Sequence, residues 1–377
     1  MTFQKTFLLI SLLILIFIIT QFGFTKSATV QNDEPGLDEK IGQLIRIGFR
    51  GFEVDENSPV VRDIKAKRIG GVVLFDYDVA LQSPRRNVES PEQVKALVES
   101  LKSYAEIPLL VLIDQEGGRV ARLKERHGFY PTVSAQYLGE VDHMDTTAFY
   151  ASRTAKTLRE LGINVNIAPV VDVNVNPENP VIGGIERSFS SDTLKVTDHA
   201  REYILQHRNQ NVFTVLKHFP GHGSSTEDSH LGLTDVTETW SEIELYPYRK
   251  LIEEGHAEMI MTAHVFNANL DPDYPATLSK NVITGILRER LKFDGVVVSD
   301  DMNMKAITDH YGFEQAIKLA LNAGVDVLAF GNNLTFDPDI AIKAHRLIKH
   351  LVINGDIPEE RIDESYNRVM KLKSRLN

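Results

Sequence analysis

Short apolar runs alternate with longer segments of helical periodicity from about Pro35 to the end of the chain. Eight of these runs are rich in β-branched residues, which is typical of strands in a buried sheet. The predicted strands are Leu44–Phe49, Gly71–Phe75, Leu109–Ile113, Ile163–Val173, Phe213–His218, Met259–Val265, Gly295–Val298 and Val325–Phe330. Eight strands that alternate with helices predict an α/β protein with a (β/α)8 TIM barrel, here a single domain of residues 37–377.

Amphipathic helices are predicted between the strands. In the segment Pro91–Tyr104, Ser90 is a predicted N-cap and four apolar residues fall on one face. A second predicted helix, Phe313–Ala323, is closed by Gly324. A final helix, Pro358–Leu376, is expected to pack outside the barrel. A doubly wound sheet is the alternative fold, but it normally has a glycine fingerprint in its first turn, which this sequence lacks.

The N-terminal segment has a different pattern. The stretch from Phe7 to Phe24 consists almost entirely of Leu, Ile and Phe, and a polar segment begins at Lys26. This pattern predicts a signal peptide or membrane anchor within residues 1–28, followed by a short tether of residues 29–36. A buried core helix is the alternative, although uniform apolarity does not suit a soluble helix. We therefore expect an extracytoplasmic protein that is either secreted or anchored by this segment.

Composition narrows the possible chemistry. The 377 residues include 41 Lys and Arg against 52 Asp and Glu, a net charge of −11, and no cysteine. The acidic balance, without a basic run in the folded region, argues against nucleic-acid binding. The lack of cysteine excludes disulfides, thiolate nucleophiles and cysteine-based zinc sites. Any catalysis must therefore use carboxylates, histidines and hydroxyls.

Polar strings follow at least four of the predicted strands. They are Asp114–Arg119 after the third, Lys217–Gly223 in and after the fifth, Thr262–His264 in the sixth and Ser299–Asp301 after the seventh. Active sites of (β/α)8 barrels lie at the carboxyl ends of the strands, so these strings should meet at one mouth. The sequence therefore predicts a polar site there.

The same strings resemble the family 3 glycoside hydrolases, specifically the single-barrel β-N-acetylglucosaminidases of peptidoglycan turnover. The most specific match is Lys217–Gly223 followed by Asp228, Ser229 and His230. Supporting matches are Ile113–Val120, Ala168–Val173, Arg187–Phe189 and Val298–Asp301. The resemblance covers essentially the whole chain after the N-terminal segment.

The resemblance implies a retaining exo-β-N-acetylglucosaminidase that forms a covalent glycosyl-aspartate intermediate. It makes Asp300 the nucleophile and His230 the acid/base, held by Asp228. Five further residues would bind the terminal N-acetylhexosamine: Asp114, Arg122, Arg187, Lys217 and His218. The expected partners are peptidoglycan-derived sugars, with membrane contact only through the N-terminal segment. No metal or organic cofactor is expected.

Strand periodicity bears on the choice of nucleophile. Adjacent strand residues point to opposite sides, so only one of Asp300 and Asp301 is expected to face the mouth while the other braces a loop or caps the next helix. Periodicity alone leaves the choice open, and the resemblance selects Asp300. A retaining glycosidase needs such a carboxylate on one face of the sugar and a proton donor on the other.

The expected proton donor is a histidine rather than a second carboxylate. Histidine has an intrinsic pKa of about 6.5, so His230 can exist in either form near neutrality. A surface loop histidine is the alternative for His230. A metal site is a further alternative, which the nearby cation Lys217 disfavours. Its ligands would be His218, His222, Asp228 and His230; without a metal, we expect His222 to have a structural role beneath the loop.

The sequence is also compatible with a different role for one residue pair and with two different functions. Asp114 and Arg122 could form a structural salt bridge. The nearest rival enzyme is a β-N-acetylglucosaminide phosphorylase, because a histidine donor adds no negative charge that would repel phosphate. The rival of a different class is a non-catalytic barrel that binds wall glycans, against which the presence of both Asp300 and His230 argues.

Overall fold

Eight parallel strands close into a barrel in the computed structural model, which describes residues 35–229 and 232–376. The barrel strands are β1 (Ile45–Gly48), β2 (Gly71–Leu74), β3 (Leu110–Ile113), β6 (Val165–Asn166), β7 (Phe213–Phe219), β9 (Met259–Thr262), β11 (Val296–Asp301) and β12 (Val327–Phe330). They follow one another around the barrel in chain order, and β12 pairs with β1. Each predicted strand contains or overlaps one of them, so the predicted (β/α)8 barrel is confirmed.

Two small ribbons lie outside the barrel. An antiparallel hairpin joins β4 (Gln115–Gly117) to β5 (Val120–Ala121), and a parallel pair joins β8 (Thr234–Asp235) to β10 (Val265–Phe266). The hairpin directly follows β3, so it stands at the carboxyl end of the barrel, where the polar strings meet.

Helices form the outer layer. They are α1 (Leu37–Gln43), α2 (Pro59–Lys65), α3 (Pro91–Ser103), α4 (Ala135–Val141), α5 (Met144–Glu160), α6 (Thr193–Asn209), α7 (Tyr246–Glu253), a π-helix (Asn281–Arg290), α8 (Lys305–Ala323), α9 (Ile340–Ile353) and α10 (Glu359–Lys373). The helix predicted after Ser90 is present, and the Ser90 side chain accepts a hydrogen bond from the Gln93 amide at 3.2 Å. Helix α8 starts before the predicted Phe313 and includes a non-helical residue, Gly312. The helix is closed by Gly324, as predicted.

The fourth barrel strand is much shorter than its apolar run. Only Val165 and Asn166 belong to β6, although the prediction extended from Ile163 to Val173. Pro169 has no N–H to donate to a ladder, and beyond it the chain makes a single bridge from Val170 to Lys217. The chain therefore leaves the sheet early and carries the following residues over the barrel mouth.

The core has two layers. A large cluster fills the space between strands and helices, and a second cluster fills the barrel lumen. Val369 and Leu372 of α10 belong to the lumen cluster, whereas Ile362 of the same helix belongs to the outer one. The expectation that the last helix packs only outside the barrel is therefore wrong for its second half, which closes the amino end of the barrel.

The predicted signal or anchor of residues 1–28 and most of the predicted tether lie outside the described residues, which begin at Pro35. The compact unit that carries the barrel begins at Leu37. Within the described part of the chain, no helix is long and apolar enough to cross a membrane.

Candidate active site

A pocket of about 520 Å³ opens at the carboxyl end of the barrel. Seven of the eight predicted site residues line it: Asp114, Arg122, Arg187, Lys217, His218, Asp228 and Asp300. The eighth, His230, lies outside the described residues. The barrel thus brings together side chains that follow β3, β5 and β6 with side chains in or after β7 and in β11. They are separated by up to 186 positions, from Asp114 to Asp300.

Lys217 lies at the centre of an ionic network in the pocket. It occupies an inward position of β7, and its ammonium is 2.8 Å from Asp114 and 2.5 Å from Glu116. Asp114 also accepts a hydrogen bond from Arg122 at 3.4 Å. Burial acts to raise the pKa of Asp114, but Lys217 and then Arg122 outweigh burial and lower it. The salt bridge between Asp114 and Arg122, which the sequence left open as an alternative, is therefore present, and both residues also line the pocket.

Glu116 is a member of this network to which sequence reasoning assigned no role. Its carboxylate accepts two hydrogen bonds from Arg187, from Nε and Nη2, each at 2.8 Å. Burial acts to raise the pKa of Glu116, but Arg187 and Lys217 outweigh burial and lower it to about 2. Glu116 therefore stays ionised and fixes two cations at once. A signal was present in the sequence, because Glu116 belongs to the string that begins at Asp114.

His218 is held in one tautomer by its neighbours. A guanidinium can only donate, so Nε2 of His218 accepts the hydrogen bond from Arg187 Nη2 at 3.2 Å. The ring hydrogen therefore lies on Nδ1, which donates to Asp172 Oδ2 at 2.7 Å. Asp172 is fully buried and also accepts hydrogen bonds from the backbone amides of His218 and His222. Asp172 belongs to the Ala168–Val173 string, in which sequence reasoning had assigned no individual role.

A β-bulge shapes the end of β11. Val298 pairs with Val327 and Asp301 pairs with Ala329, so β11 has one extra residue between these pairs. Ser299 fills the gap, since its hydroxyl accepts a hydrogen bond from the Ala329 amide at 2.9 Å. The bulge interrupts the alternation of side chains along the strand.

Both carboxylates at the end of β11 consequently line the pocket. The expectation that only one of Asp300 and Asp301 faces the mouth is wrong, because it assumed regular alternation. The two nevertheless differ in their contacts. Asp301 accepts hydrogen bonds from the amides of Asn303 and Gly331 and thereby braces two loops. Asp300 accepts a hydrogen bond from the Asp301 amide at 2.8 Å.

The loop after β7 is anchored from below. His222 makes hydrogen bonds with the hydroxyls of Ser225 at 2.7 Å and Ser229 at 3.0 Å, one at each ring nitrogen. Gly223 packs so closely that a Cβ there would lie 1.7 Å from the Val173 carbonyl oxygen. Glu244, which sequence reasoning did not single out, is buried beneath the loop and accepts a hydrogen bond from the Gly223 amide at 2.9 Å.

The ring nitrogens of His218 and His222 are thus all engaged by protein groups. Within the described ranges, no three carboxylate or imidazole side chains are arranged to hold a metal ion. The metal alternative also included His230, which the described residues do not contain. Protein groups thus also engage the carboxylates of Asp114, Glu116 and Asp172, through ion pairs, side-chain hydrogen bonds and, for Asp172, backbone amides.

A (β/α)8 barrel with a pocket of carboxylates and cations at the carboxyl ends of its strands has the architecture of a barrel enzyme. The family model described as "Glycosyl hydrolase family 3 N terminal domain" matches residues 36–372. The chain belongs to glycoside hydrolase family 3.

Named relatives and solved structures agree with this assignment. The chain is 34% identical to Beta-hexosaminidase A of Pseudoalteromonas piscicida over 82% of this chain and 54% of that protein. It is 33% identical to a beta-hexosaminidase of Tolumonas auensis over 77% of this chain and 83% of that protein. The chain thus matches about half the length of the first relative and most of the second.

The fold is shared with a solved family 3 β-N-acetylglucosaminidase from Paenibacillus, with a TM-score of 0.82 and 36% identity over 91% of this chain and 63% of that one. It is also shared with a β-N-acetylhexosaminidase from Beutenbergia cavernae, with a TM-score of 0.81 and 29% identity over 91% of this chain and 100% of that one. The similarity to family 3 enzymes expected from the motifs is thereby confirmed.

Proposed function

We propose that the chain is a retaining exo-β-N-acetylglucosaminidase that removes terminal N-acetylglucosamine from cell-wall glycan fragments. The observation that carries the proposal is the convergence of Asp300 with the Asp114, Lys217 and Arg187 network in one pocket. The named relatives are beta-hexosaminidases, which supports the choice of sugar.

The proposed reaction has two steps. In the first, a carboxylate oxygen of Asp300 attacks the anomeric carbon while the departing oxygen takes a proton from His230. In the second, neutral His230 takes a proton from a water molecule, which attacks the same carbon and releases Asp300. Asp228, which lines the pocket two positions before His230, is proposed to stabilise the imidazolium.

The charged network supports recognition of one terminal sugar. Asp114 can accept hydrogen bonds from neighbouring sugar hydroxyls, and Arg122 and Lys217 can donate to sugar oxygens. These groups are already held by one another at 2.8 to 3.4 Å, so binding requires little rearrangement. Apolar side chains cover the adjoining wall and suit the methyl group of an acetamide: Phe75, Val120, Met261 and Met304.

The direct test is to incubate the protein with an aryl β-N-acetylglucosaminide, with and without phosphate. Release of free N-acetylglucosamine in both conditions supports hydrolysis. Release of the sugar 1-phosphate would instead establish the phosphorylase, and absence of turnover would leave a binding barrel. Release of disaccharide units from a longer chain would contradict the exo mode.

The acid/base assignment has a separate test. His230→Ala should slow substrates with basic leaving groups most, because an activated aryl group needs less protonation as it departs. Asp228→Ala should be partially active, with the upper limb of its pH profile moved to lower pH because the imidazolium loses its partner. An equal effect on activated and unactivated substrates would demote His230 to a loop residue.

Location forms the last part of the proposal. The apolar segment from Phe7 to Phe24 is proposed to direct the protein across or into the membrane. Cell fractionation should therefore find the protein in the membrane or outside the cell. A full-length soluble cytoplasmic form as the main species would contradict the proposed location.

A further inference from the structure

The amino end of the barrel, which α10 closes and which we call the closed end, contains an arginine among apolar side chains. Ile45 and Ile47 pack in the outer core, so the alternation along β1 turns Arg46 into the lumen. Arg46 is 1% exposed, and neither Nη1 nor Nη2 has a hydrogen-bond partner among the described residues. A guanidinium whose two terminal nitrogens are buried and unsatisfied by the described residues points to a bound water molecule or ion.

A second buried cation lies at the same end. Lys373, near the end of α10, is 1% exposed and donates hydrogen bonds to Gln43 Oε1 at 2.6 Å and to the Gly70 carbonyl at 2.8 Å. Gly70 directly precedes β2, which places the ammonium at the amino end of the strands. Burial, followed by the charge of Arg46, lowers the pKa of Lys373 to about 7, as expected for neighbouring cations.

These two cations have no carboxylate partner among the described residues. In that part of the chain, neither Arg46 nor Lys373 lies within ion-pair distance of an acidic side chain, and only burial lowers the pKa of Arg46, to about 9. Arginine does not lose its proton in proteins, so it cannot escape the cost of burial by becoming neutral. Water alone would satisfy the N–H groups but would leave the charge unbalanced. A bound anion would supply both the acceptor and the charge.

We propose that Arg46 and Lys373 hold a small monovalent inorganic anion, of the size of chloride, at the closed end of the barrel. The site lies at the opposite end of the strands from Asp300, so it is independent of the proposed hydrolysis. Its role is structural, since it joins α10, which closes the lumen, to the first barrel strand.

The decisive experiment uses bromide as the probe. Crystals of the full chain, grown without halide and soaked in sodium bromide, should show an anomalous peak in contact with the Arg46 guanidinium. The same soak of Arg46→Met crystals should show no peak at that place. Water alone at Arg46, with bromide only on surface cations, overturns the proposal.

Thermal unfolding provides an independent measurement. Replacing sodium gluconate by sodium bromide at equal ionic strength should raise the Tm of the full chain by roughly 2 °C or more. Arg46→Met and Lys373→Met should each lose this response. The control is Lys102→Met, which removes an ammonium bound to the Gly162 carbonyl and should keep it. An equal bromide response in all four proteins would contradict the assigned site.

Discussion

At the mouth of the barrel, the cation Lys217 lies 2.8 Å from Asp114 and 2.5 Å from Glu116, whereas the cations at the closed end have no carboxylate within ion-pair distance among the described residues. Both ends are built on the same strands, and the cations at both are shielded from water. The difference is that buried groups of both signs pair with one another at the mouth, whereas Arg46 and Lys373 have the same sign and no ion-pair partner among the described residues.

This contrast shows how the mouth is prepared for a neutral sugar. Glu116 neutralises Arg187 and Lys217 before any ligand arrives, so their N–H groups are held in place without a large unbalanced charge. Preorganised donors of this kind lower the reorganisation needed when charge develops during reaction. At the closed end, the unbalanced charge instead calls for the anion that we propose.

The largest effect is expected from removal of the Asp300 carboxylate, which should lower activity while leaving the stability of the mouth nearly unchanged. Asp300→Ala should lower kcat by roughly 10³-fold or more on a chromogenic N-acetylglucosaminide, since the proposed covalent intermediate cannot form. Its thermal unfolding should remain close to that of the wild type, because the half-buried carboxylate contributes little packing.

The matched control is Asp301→Ala, which removes the carboxylate that accepts hydrogen bonds from the Asn303 and Gly331 amides. This variant should lose stability and retain measurable turnover. A larger loss of kcat in Asp301→Ala than in Asp300→Ala would exchange the two assignments. A fluorinated mechanism-based inhibitor should label Asp300 in the wild type.

The barrel itself could be predicted because its evidence is local. Each strand corresponds to an apolar run in the sequence, such as Leu109–Ile113. The alternation of these runs with predicted helices then predicts the topology. The position of the site followed from the general rule that barrel sites lie at the carboxyl ends of strands. These two steps required no knowledge of which side chains touch.

The partners of the charged residues could not be predicted in this way. Glu116 and Arg187 are 71 positions apart, and no local pattern pairs them. The bulge at Asp300 shifts the register against a neighbouring strand, with a hydrogen bond from that strand to Ser299, so periodicity gave the wrong orientation for one carboxylate. Lys373 lies in the last helix, which was expected to pack outside the barrel, although its ammonium reaches a carbonyl beside β2.

The comparison of the two ends predicts opposite effects of removing one charge. Glu116→Gln leaves Arg187 and Lys217 without their shared carboxylate, so the free energy of unfolding should fall by about 3 to 5 kcal/mol. Arg46→Met removes an unbalanced charge from an apolar lumen, so in halide-free buffer the variant should be at least as stable as the wild type. Urea unfolding of both variants in sodium gluconate measures the two changes.

Transfer to sodium bromide should reduce the relative advantage of Arg46→Met, because only the wild type gains the proposed anion. Equal destabilisation by Glu116→Gln and Arg46→Met in gluconate would contradict the proposed difference in charge balance between the two ends. It would mean that Arg46 is already balanced by protein groups.

A pH-dependent effect concerns Glu244, a buried carboxyl group beneath the mouth that has no cation within ion-pair distance in the described ranges. Burial raises its pKa to about 8, so the folded protein keeps it protonated where the unfolded chain is ionised. The stability it provides is complete below its ordinary pKa and is lost as pH rises towards 8, at about 1.4 kcal/mol per pH unit.

Glu244→Gln should therefore gain stability over the wild type between pH 5 and 8 in urea unfolding. The control is Glu242→Gln, which removes an exposed partner of Arg290 and should show a constant difference from the wild type over that range. Parallel pH curves for Glu244→Gln and the wild type would show that Glu244 ionises normally in the folded state.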